Sequence, residues 1–477
     1  MKSMKKYKIL INGEWIETGK WIDVVDKYHL KPFASIAAAN ADLVGGAVAA
    51  ADKAWREKPL TPFQRYEILM NSGEILKRRQ DEVAETISQE VGKTFKEAKV
   101  EAGRVINNFI IAAEESKRIV GEIIPADAIQ GNENRFCFTM RQPKGVIGCI
   151  TPFNFPFNLV AHKVCPALAA GNAVVLKPAS ATPISSVMMC EILEEAGLPA
   201  GYINLVPGAG EEIGHALLEN QDIAFYSFTG SPKVGKEIAQ KTGLRQCSLE
   251  LGSNSGVIVT ADASLDLAVE KCLRMAMANA GQVCISVQRV LVEEKIKNDF
   301  MDLMLEKVKE LKVGDPFDPE TDIGPMISEK EALRTEAWVE EAARQGALVL
   351  HGGKRIKGAL FEPTIIDQIT SDMKMWCEEV FAPVLCVATF KEFDEALQKI
   401  NDSKYGLQAG VFTSNINKAL EAAKVIQTGG VIINDAPSYR VDNGPYGGIK
   451  ESGIGKEGVK YAIEEMTNLK VIAVNLN

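Results

Sequence analysis

The sequence predicts an α/β protein made of two parallel-sheet domains, and three observations carry that prediction. The chain is 477 residues long, about three times the ~150-residue scale of a single domain. From Gly145 onward short β-branched runs alternate with helical patterns, as in a parallel sheet covered on both faces, and the alternation comes in two series. Apolar residues make up 46% and charged residues 25%, a globular composition that disfavours a disordered, collagen-like or membrane-embedded chain.

Taken in order, residues 9–15 (ILINGEW) read as a strand carrying a turn. A helical layer follows: over residues 65–87 Ile68, Leu69, Ile75, Leu76, Val83 and Ile87 recur at helical intervals. The segment 135–141 reads as a strand arm outside the first series, whose strands are expected at 146–150, 173–176, 202–206, 224–228 and 246–250. The second series is expected at 257–259, 289–292, 347–350, 384–390, 408–412 and 430–434, and residues 470–476 read as a closing strand. Pattern alone leaves both arms open as internal edge strands or as strands that pair with a partner subunit. No repeat or long flexible linker separates the domains, so they should pack closely.

The formal net charge is −9 with acidic and basic residues interspersed, so no basic stripe points to nucleic acid or an anionic membrane. An anionic ligand would need a local cationic pocket. The nine cysteines are odd in number and lack a CxxC pair or a Cys/His cluster, which disfavours a disulfide framework and a zinc site; no metal is expected. The run 9–11 is too short for a signal-peptide core. The apolar stretch 159–176 is interrupted by His162, Lys163 and Asn172, so it is not read as a membrane span. A reducing cytoplasm is the expected location.

The most informative segment is 279–289 (NAGQVCISVQR), where a helical pattern ends and a strand resumes with Cys284 in the turn. A cysteine there is either a nucleophile, provided its thiolate is favoured, or an inert packing residue. Spacing does not separate the two. Asn154 follows an apolar strand, where its amide could face an oxyanion or merely cap a turn. Lys177 and Ser180 also follow a strand. So does the stretch 228–235 (FTGSPKVG), where Gly230 permits close approach and a helix starting near Pro232 offers free N–H groups to a phosphate. There is no GxGxxG fingerprint after the first strand. Glu250 ends a further strand, as a general base of raised pKa or as a paired carboxylate. Asn154, Lys177, Ser231 and Glu250 converge at the carboxyl edge of one sheet, where open α/β sheets bind their ligands.

In order, residues 151–156, 177–180, 228–231, 250–252, 281–284, 378–383 and 445–450 (PYGGIK) resemble the motifs of the aldehyde dehydrogenase superfamily, over nearly the whole chain. The resemblance implies an atypical Rossmann cofactor domain at 1–253, with an arm at about 125–145 in a small β oligomerisation element. It implies a catalytic domain at 254–440, and a return over 441–477 that ends in an oligomerisation strand. Both sheets would be doubly wound and parallel. It implies Cys284 as nucleophile, Asn154 as oxyanion donor and Glu250 as the base that hydrolyses a thioester; relatives that release acyl-CoA typically lack this glutamate. The implied cofactor is NADP or NAD, held by Thr151, Pro152, Phe153, Lys177, Ser180, Gly210, Thr229, Gly230, Ser231, Leu251, Gly252, Glu379 and Phe381. Members are usually dimers or tetramers, which favours the intersubunit reading of the arms.

Two positions depart from the commonest family pattern. Ser180 stands where NAD-preferring relatives usually carry a glutamate that would repel a 2′-phosphate, so NADP should be accepted. Residues 253–254 read Ser-Asn where many members read Gly-Lys, and the sequence offers no physical account of that. Segments 281–286, 434–443 and 458–466 are most similar to the branch of lactaldehyde, sulfolactaldehyde and phosphonoacetaldehyde dehydrogenases. Non-phosphorylating glyceraldehyde-3-phosphate and succinate-semialdehyde dehydrogenases are the alternatives. By the same resemblance Arg104, Phe155, Val283, Ile285 and Arg440 line the substrate site. A pair of guanidinium groups would grip a carboxylate, sulfonate or phosphonate, or else both arginines form structural salt bridges. Val283 argues against glyceraldehyde 3-phosphate, whose enzymes resemble one another in an arginine there. The substrate expected is a short anionic or hydroxylated aldehyde. A CoA-acylating enzyme and a catalytically idle relative are the remaining readings.

Overall fold

Five parallel strands form the centre of an eight-stranded sheet: Gln246–Glu250, Ile223–Thr229, Val146–Ile150, Ala173–Lys177 and Ile203–Leu205 lie side by side in that order in the computed structural model, which describes residues 4–476. Val146–Ile150 and Ala173–Lys177 are buried along their whole length. That is why they read as unbroken apolar runs rather than alternating ones. Chain order reverses between Val146–Ile150 and Ile223–Thr229, and a ligand crevice forms outside the carboxyl ends of strands at such a reversal.

Both rims of this sheet are antiparallel, a departure from the all-parallel expectation. Gly453–Ile454 flanks Gln246–Glu250, and the hairpin Ile9–Ile11/Glu14–Ile16 extends the other edge. Asn12 and Gly13, both at positive φ (53° and 78°), make the tight turn that sets the hairpin register.

The second sheet has seven strands in the order Leu348–His351, Thr364–Asp367, Val384–Phe390, Arg289–Glu293, Gly256–Val259, Gln408–Phe412 and Gly430–Ile433. All neighbours are parallel except the first pair. Pattern does not mark Thr364–Asp367, whose four residues hold only two apolar side chains.

The N-terminal layer comprises helices Ala41–Glu57, Pro62–Arg78, Gln80–Val91 and Phe95–Ser116, which share one core with the eight-stranded sheet. The single helical pattern of residues 65–87 is broken at Arg79 into two helices; the apolar period continues because only one residue intervenes. A small sheet of Lys5–Tyr7, Pro32–Ala37 and Trp21–Val25, also unmarked by pattern, precedes this layer. Helix Asn158–Ala170 is buried at every position, packed between helix Phe95–Ser116 and the strands Val146–Ile150 and Ala173–Lys177.

The two arms find each other within the chain. Arg135–Pro143 pairs antiparallel with Thr467–Asn475 over nine residues, and Ile123–Ile124 adds a third strand. Phe136, Leu469, Val471 and Val474 on these arms stay exposed. Among the described residues no helix is long and apolar enough to cross a membrane, and no group of three or more His, Cys, Asp or Glu side chains is arranged to hold a metal ion.

Candidate active site between the two sheets

After helix Leu265–Met277 the chain makes a turn in which Asn279, Ala280 and Gly281 all take positive φ (50°, 53° and 70°). Left-handed backbone costs about 1–2 kcal/mol per non-glycine residue, so the turn has to be held from outside. Asn279 N–H donates to the Glu97 carboxylate (2.8 Å), and the Asn279 amide donates to the carbonyls of Asn154 and Gln282 (both 3.2 Å). The Gln282 side chain donates to Asn279 O (3.0 Å) and accepts from Ile327 N–H (2.8 Å). Gly281 tolerates no side chain, because a Cβ would lie 1.9 Å from the Ala382 carbonyl oxygen.

This turn delivers Cys284, half-buried, into a small cluster of Ile285, Leu407 and Tyr446 that Val283 also packs against. The Cys284 Sγ lies 3.1 Å from the Tyr446 hydroxyl. Burial pushes the thiol up to about 11 against the opposing pull of that hydrogen bond, and the charges of Glu379, Arg440 and Glu250 also reach it.

Asn154 is buried and its Nδ2 donates to Gln282 O (2.9 Å), tying the 151–156 loop to the cysteine turn. A primary amide has two donors, and among the described residues the second takes no acceptor. The Asn154 carbonyl accepts from Lys93 Nζ (3.0 Å), and Lys93 is paired at 2.6 Å with Glu101, both fully buried. The other Glu101 oxygen accepts from the N–H groups of Phe157 and Asn158 (3.1 Å each), at the start of helix Asn158–Ala170, where the helix dipole favours an anion. The Lys93 ammonium also sits 3.7 Å from the centroid of the Phe155 ring.

Glu250 ends its strand with both carboxyl oxygens buried and, among the described residues, unpartnered. Burial, and then the negative charge of Glu457, raise its carboxyl well above the usual range against Arg440 and Lys163. Gly447 lies alongside, where a Cβ would come 2.9 Å from Glu250 Oε1. Glu457 has the opposite setting. Lys163 Nζ lies 2.9 Å from one of its oxygens and Arg440 3.1 Å from the other, and these cations overcome burial to hold it far below the usual carboxylate range.

The ionic network continues to Arg104. Arg440 NH2 lies 3.3 Å from His162 Nδ1, His162 Nε2 lies 3.2 Å from Asp442, and Arg104 grips Asp442 through two bonds of 2.6 and 3.3 Å. A guanidinium only donates, so His162 accepts at Nδ1 and carries its proton on Nε2. Burial and the Arg440 charge lower His162 to about 4, so it is neutral at pH 7. The two arginines thus do not converge as a free pair; each already holds a carboxylate, although Arg440 Nε is buried without a partner among the described residues.

Across the crevice, Lys177 is buried at its strand end with one long hydrogen bond to Pro178 O (3.4 Å), and desolvation lowers it to about 8. Thr151 N–H donates to Lys177 O (3.1 Å), joining the two strand ends ahead of Pro152 and Phe153. The Ser180 hydroxyl donates to Gly208 O (2.8 Å), which leaves its lone pairs to accept. Gly210 opens helix Gly210–Glu219, and Ser231 caps helix Pro232–Lys241 by accepting from Val234 N–H. Thr229 accepts from Lys163 Nζ (2.7 Å), so its hydroxyl belongs to the ionic network. A Cβ on Gly230 would lie 2.5 Å from the Phe228 ring, and one on Gly235 would lie 2.4 Å from Leu251.

From the second sheet Glu379 accepts Ser253 N–H (2.9 Å), and desolvation pushes its carboxyl up to about 7. A Cβ on Gly252 would come 2.5 Å from Glu379 Oε2. Phe381, at φ 51°, meets Phe153 edge to face with centroids 5.9 Å apart. The crevice suits a phosphate-bearing dinucleotide: it offers helix N-termini, close-approach glycines, and a buried ammonium with no carboxylate partner among the described residues. Asn254, unexplained by sequence, donates to Trp376 O (2.9 Å) and accepts from Ser403 (2.8 Å), so it ties the strand exit to the second sheet.

Tyr446, Lys93, Glu101, His162, Lys163, Asp442 and Glu457 carry no functional mark in the sequence. Tyr446 lies within the motif 445–450 and Asp442 within 434–443, and His162 and Lys163 show only as polar breaks in the apolar stretch 159–176. Nothing local marks the others, because partners in this network stand up to 294 residues away.

Fold and site together define an oxidoreductase that acts on the aldehyde group. Residues 15–472 match the aldehyde dehydrogenase family, and the chain belongs to it. It is 50% identical over 476 residues to a 3-sulfolactaldehyde dehydrogenase of Priestia aryabhattai, covering 100% of this chain and 99% of that one. It is 40% identical over 472 residues to a lactaldehyde dehydrogenase of Methanococcus maripaludis, covering 98% and 100%. The crystal structure of glyceraldehyde-3-phosphate dehydrogenase from Methanocaldococcus jannaschii, solved with NADP, matches with a TM-score of 0.92 at 41% identity, covering 95% and 99%.

Proposed function

We propose that the protein oxidises a short anionic or hydroxylated aldehyde to its carboxylic acid with NADP⁺ or NAD⁺, through a covalent intermediate on Cys284. One observation carries this reading: the turn bearing Cys284 is hydrogen-bonded to the Asn154 amide, and Sγ lies 3.1 Å from the hydroxyl of Tyr446, whose ring meets Arg440 and whose neighbour Gly447 lies against Glu250. Nucleophile, oxyanion donor, base and anion-binding cation are thereby gathered from both sheets.

Once the Cys284 thiol has lost its proton to solvent, attack of the thiolate on the carbonyl carbon makes an alkoxide, which the second Asn154 N–H and the Cys284 backbone N–H receive. A nicotinamide, when bound, supplies the acceptor for the hydride. The acyl group stays on Sγ as a thioester until water, deprotonated by Glu250, releases the acid. Glu250 suits that task because its raised pKa gives it affinity for the proton and no hydrogen bond must break for it to accept one. Lys177 and Ser180 would hold the adenosine ribose, Gly210, Thr229, Gly230 and Ser231 the phosphate side, and Glu379, Phe153 and Phe381 the nicotinamide side. With serine rather than a carboxylate at position 180, a 2′-phosphate meets no repulsion. Phe155, Val283 and Ile285 form the apolar wall, and the Arg440 guanidinium, whose Nε has no partner among the described residues, supplies the cation that selects an anionic substrate, while Arg104 is taken up by Asp442. The sulfolactaldehyde and lactaldehyde relatives support a short, hydroxylated substrate. The exposed apolar arm strands support assembly into a dimer or tetramer.

A panel of two- to four-carbon aldehydes, anionic and neutral, assayed with NADP⁺ and NAD⁺ tests the reading. NAD(P)H should form without CoA, with higher kcat/KM for anionic or hydroxylated members than for plain alkyl aldehydes, and Cys284→Ala should abolish it. Activity retained in that variant, or no preference for anionic or hydroxylated aldehydes over propanal, rejects it.

A further inference from the structure

We propose that Tyr446 is a catalytic residue: its hydroxyl donates a hydrogen bond to the Cys284 thiolate, and Arg440 and Glu457 act as positioning residues that hold it there. This rests on the reading of Cys284 as nucleophile. The first support is the 3.1 Å contact between the Tyr446 hydroxyl and Sγ, made by a tyrosine only 5% exposed and packed against Ile285 and Leu407. A thiolate accepts hydrogen bonds and cannot donate them. Burial raises the Tyr446 phenol well above its ordinary range, so it keeps its proton wherever the enzyme works and is the donor of the pair.

The second support is a closed circuit of contacts. Tyr446 N–H donates to Glu457 O (3.0 Å) and Glu457 N–H donates back to Tyr446 O (2.7 Å). The Glu457 carboxylate holds Arg440 at 3.1 Å, and the Arg440 guanidinium lies 3.8 Å from the centroid of the Tyr446 ring. Backbone, carboxylate, guanidinium and ring therefore brace one another, with His162 steadying Arg440 from behind. The hydroxyl lies on the ring axis, so ring flips do not move it; only tilting the ring would, and that breaks the circuit. A cation over the ring face also draws electron density from the phenol and makes its O–H a better donor. Phenylalanine at this position would fill the same space and supply no proton.

The test is iodoacetamide alkylation of the full-length protein, followed by mass spectrometry of the peptide carrying Cys284, at pH 7 to 9 without substrate or cofactor. In Tyr446→Phe, losing a hydrogen bond to a charged group should raise the thiol midpoint by about one pH unit. Alkylation should then slow roughly threefold to fourfold, once the greater nucleophilicity of the less acidic thiolate is counted. Cofactor affinity should not change. Arg440→Met, which keeps the tyrosine but removes its brace, should slow alkylation in the same direction by less. A wild-type alkylation rate in Tyr446→Phe overturns the proposal, as does an Arg440→Met effect with none in Tyr446→Phe. These readouts need no turnover, so they are separate from the Cys284→Ala assay, in which retained aldehyde oxidation removes the nucleophile assignment itself.

Discussion

Lys177 and Lys163 are both buried lysines of the eight-stranded half of the molecule, one at a strand end and one on the helix packed against it, and their surroundings differ sharply. Lys163 has Thr229 at 2.7 Å and the Glu457 carboxylate at 2.9 Å. Lys177 has one 3.4 Å bond to the next residue's carbonyl and is lowered to about 8 by desolvation. A buried charge with a partner is part of the framework, and removing the partner is costly. A buried charge without one is under-satisfied in the free protein, so it favours a ligand that brings an acceptor. The two carboxylates repeat the contrast, since Glu457 is doubly paired while Glu250 has no hydrogen-bond partner among the described residues.

The largest test of that contrast is Glu457→Gln. It removes the carboxylate that directly pairs the buried Lys163 and Arg440, and should cost about 3–5 kcal/mol of stability by urea unfolding. A loss under about 1 kcal/mol, the range of an exposed ion pair, would remove the distinction between framework and ligand-binding charges. Lys177→Met should behave oppositely. Unfolding should shift by less than about 1 kcal/mol, because no native ion pair is broken, while cofactor affinity should fall roughly tenfold to a hundredfold.

The same lysine sets a pH dependence. Its pKa in the free protein is lowered to about 8, so the cation is present below that value and lost above it. Cofactor affinity should hold up to about pH 7.5, then fall by as much as tenfold per pH unit above about pH 8. Titration calorimetry should find no such decline in Lys177→Met. The smallest effect is expected from Ser180→Glu, where a new carboxylate facing a 2′-phosphate should lower kcat/KM for NADP⁺ about tenfold relative to NAD⁺. An unchanged cofactor ratio would show that Lys177 alone governs that end of the groove.

What was legible in the sequence follows from how locally each feature is encoded. Runs such as 146–150 and 173–176 are apolar on both faces because helices cover both faces, so strand and layer could be read together. Thr364–Asp367 and the break at Arg79 were not legible, one being too short for a period and the other leaving the period intact. Cys284, Asn154 and Glu250 stood out only through the ordered motifs around them, since a lone cysteine, asparagine or glutamate has many bland uses. The guanidinium groups of Arg104 and Arg440 looked free for a ligand in sequence, yet Asp442 and Glu457 hold them in the fold.

By itself the sequence determined the alternation of strands and helices and the order of the motifs, because these depend on residues within a few positions of one another. Only the tertiary structure decided which buried charges are paired, which side of the crevice keeps an unpaired cation, and that Tyr446 meets Cys284. Those outcomes depend on desolvation and on distances of 2.6 to 3.1 Å between residues more than a hundred positions apart, and neither is encoded in local pattern.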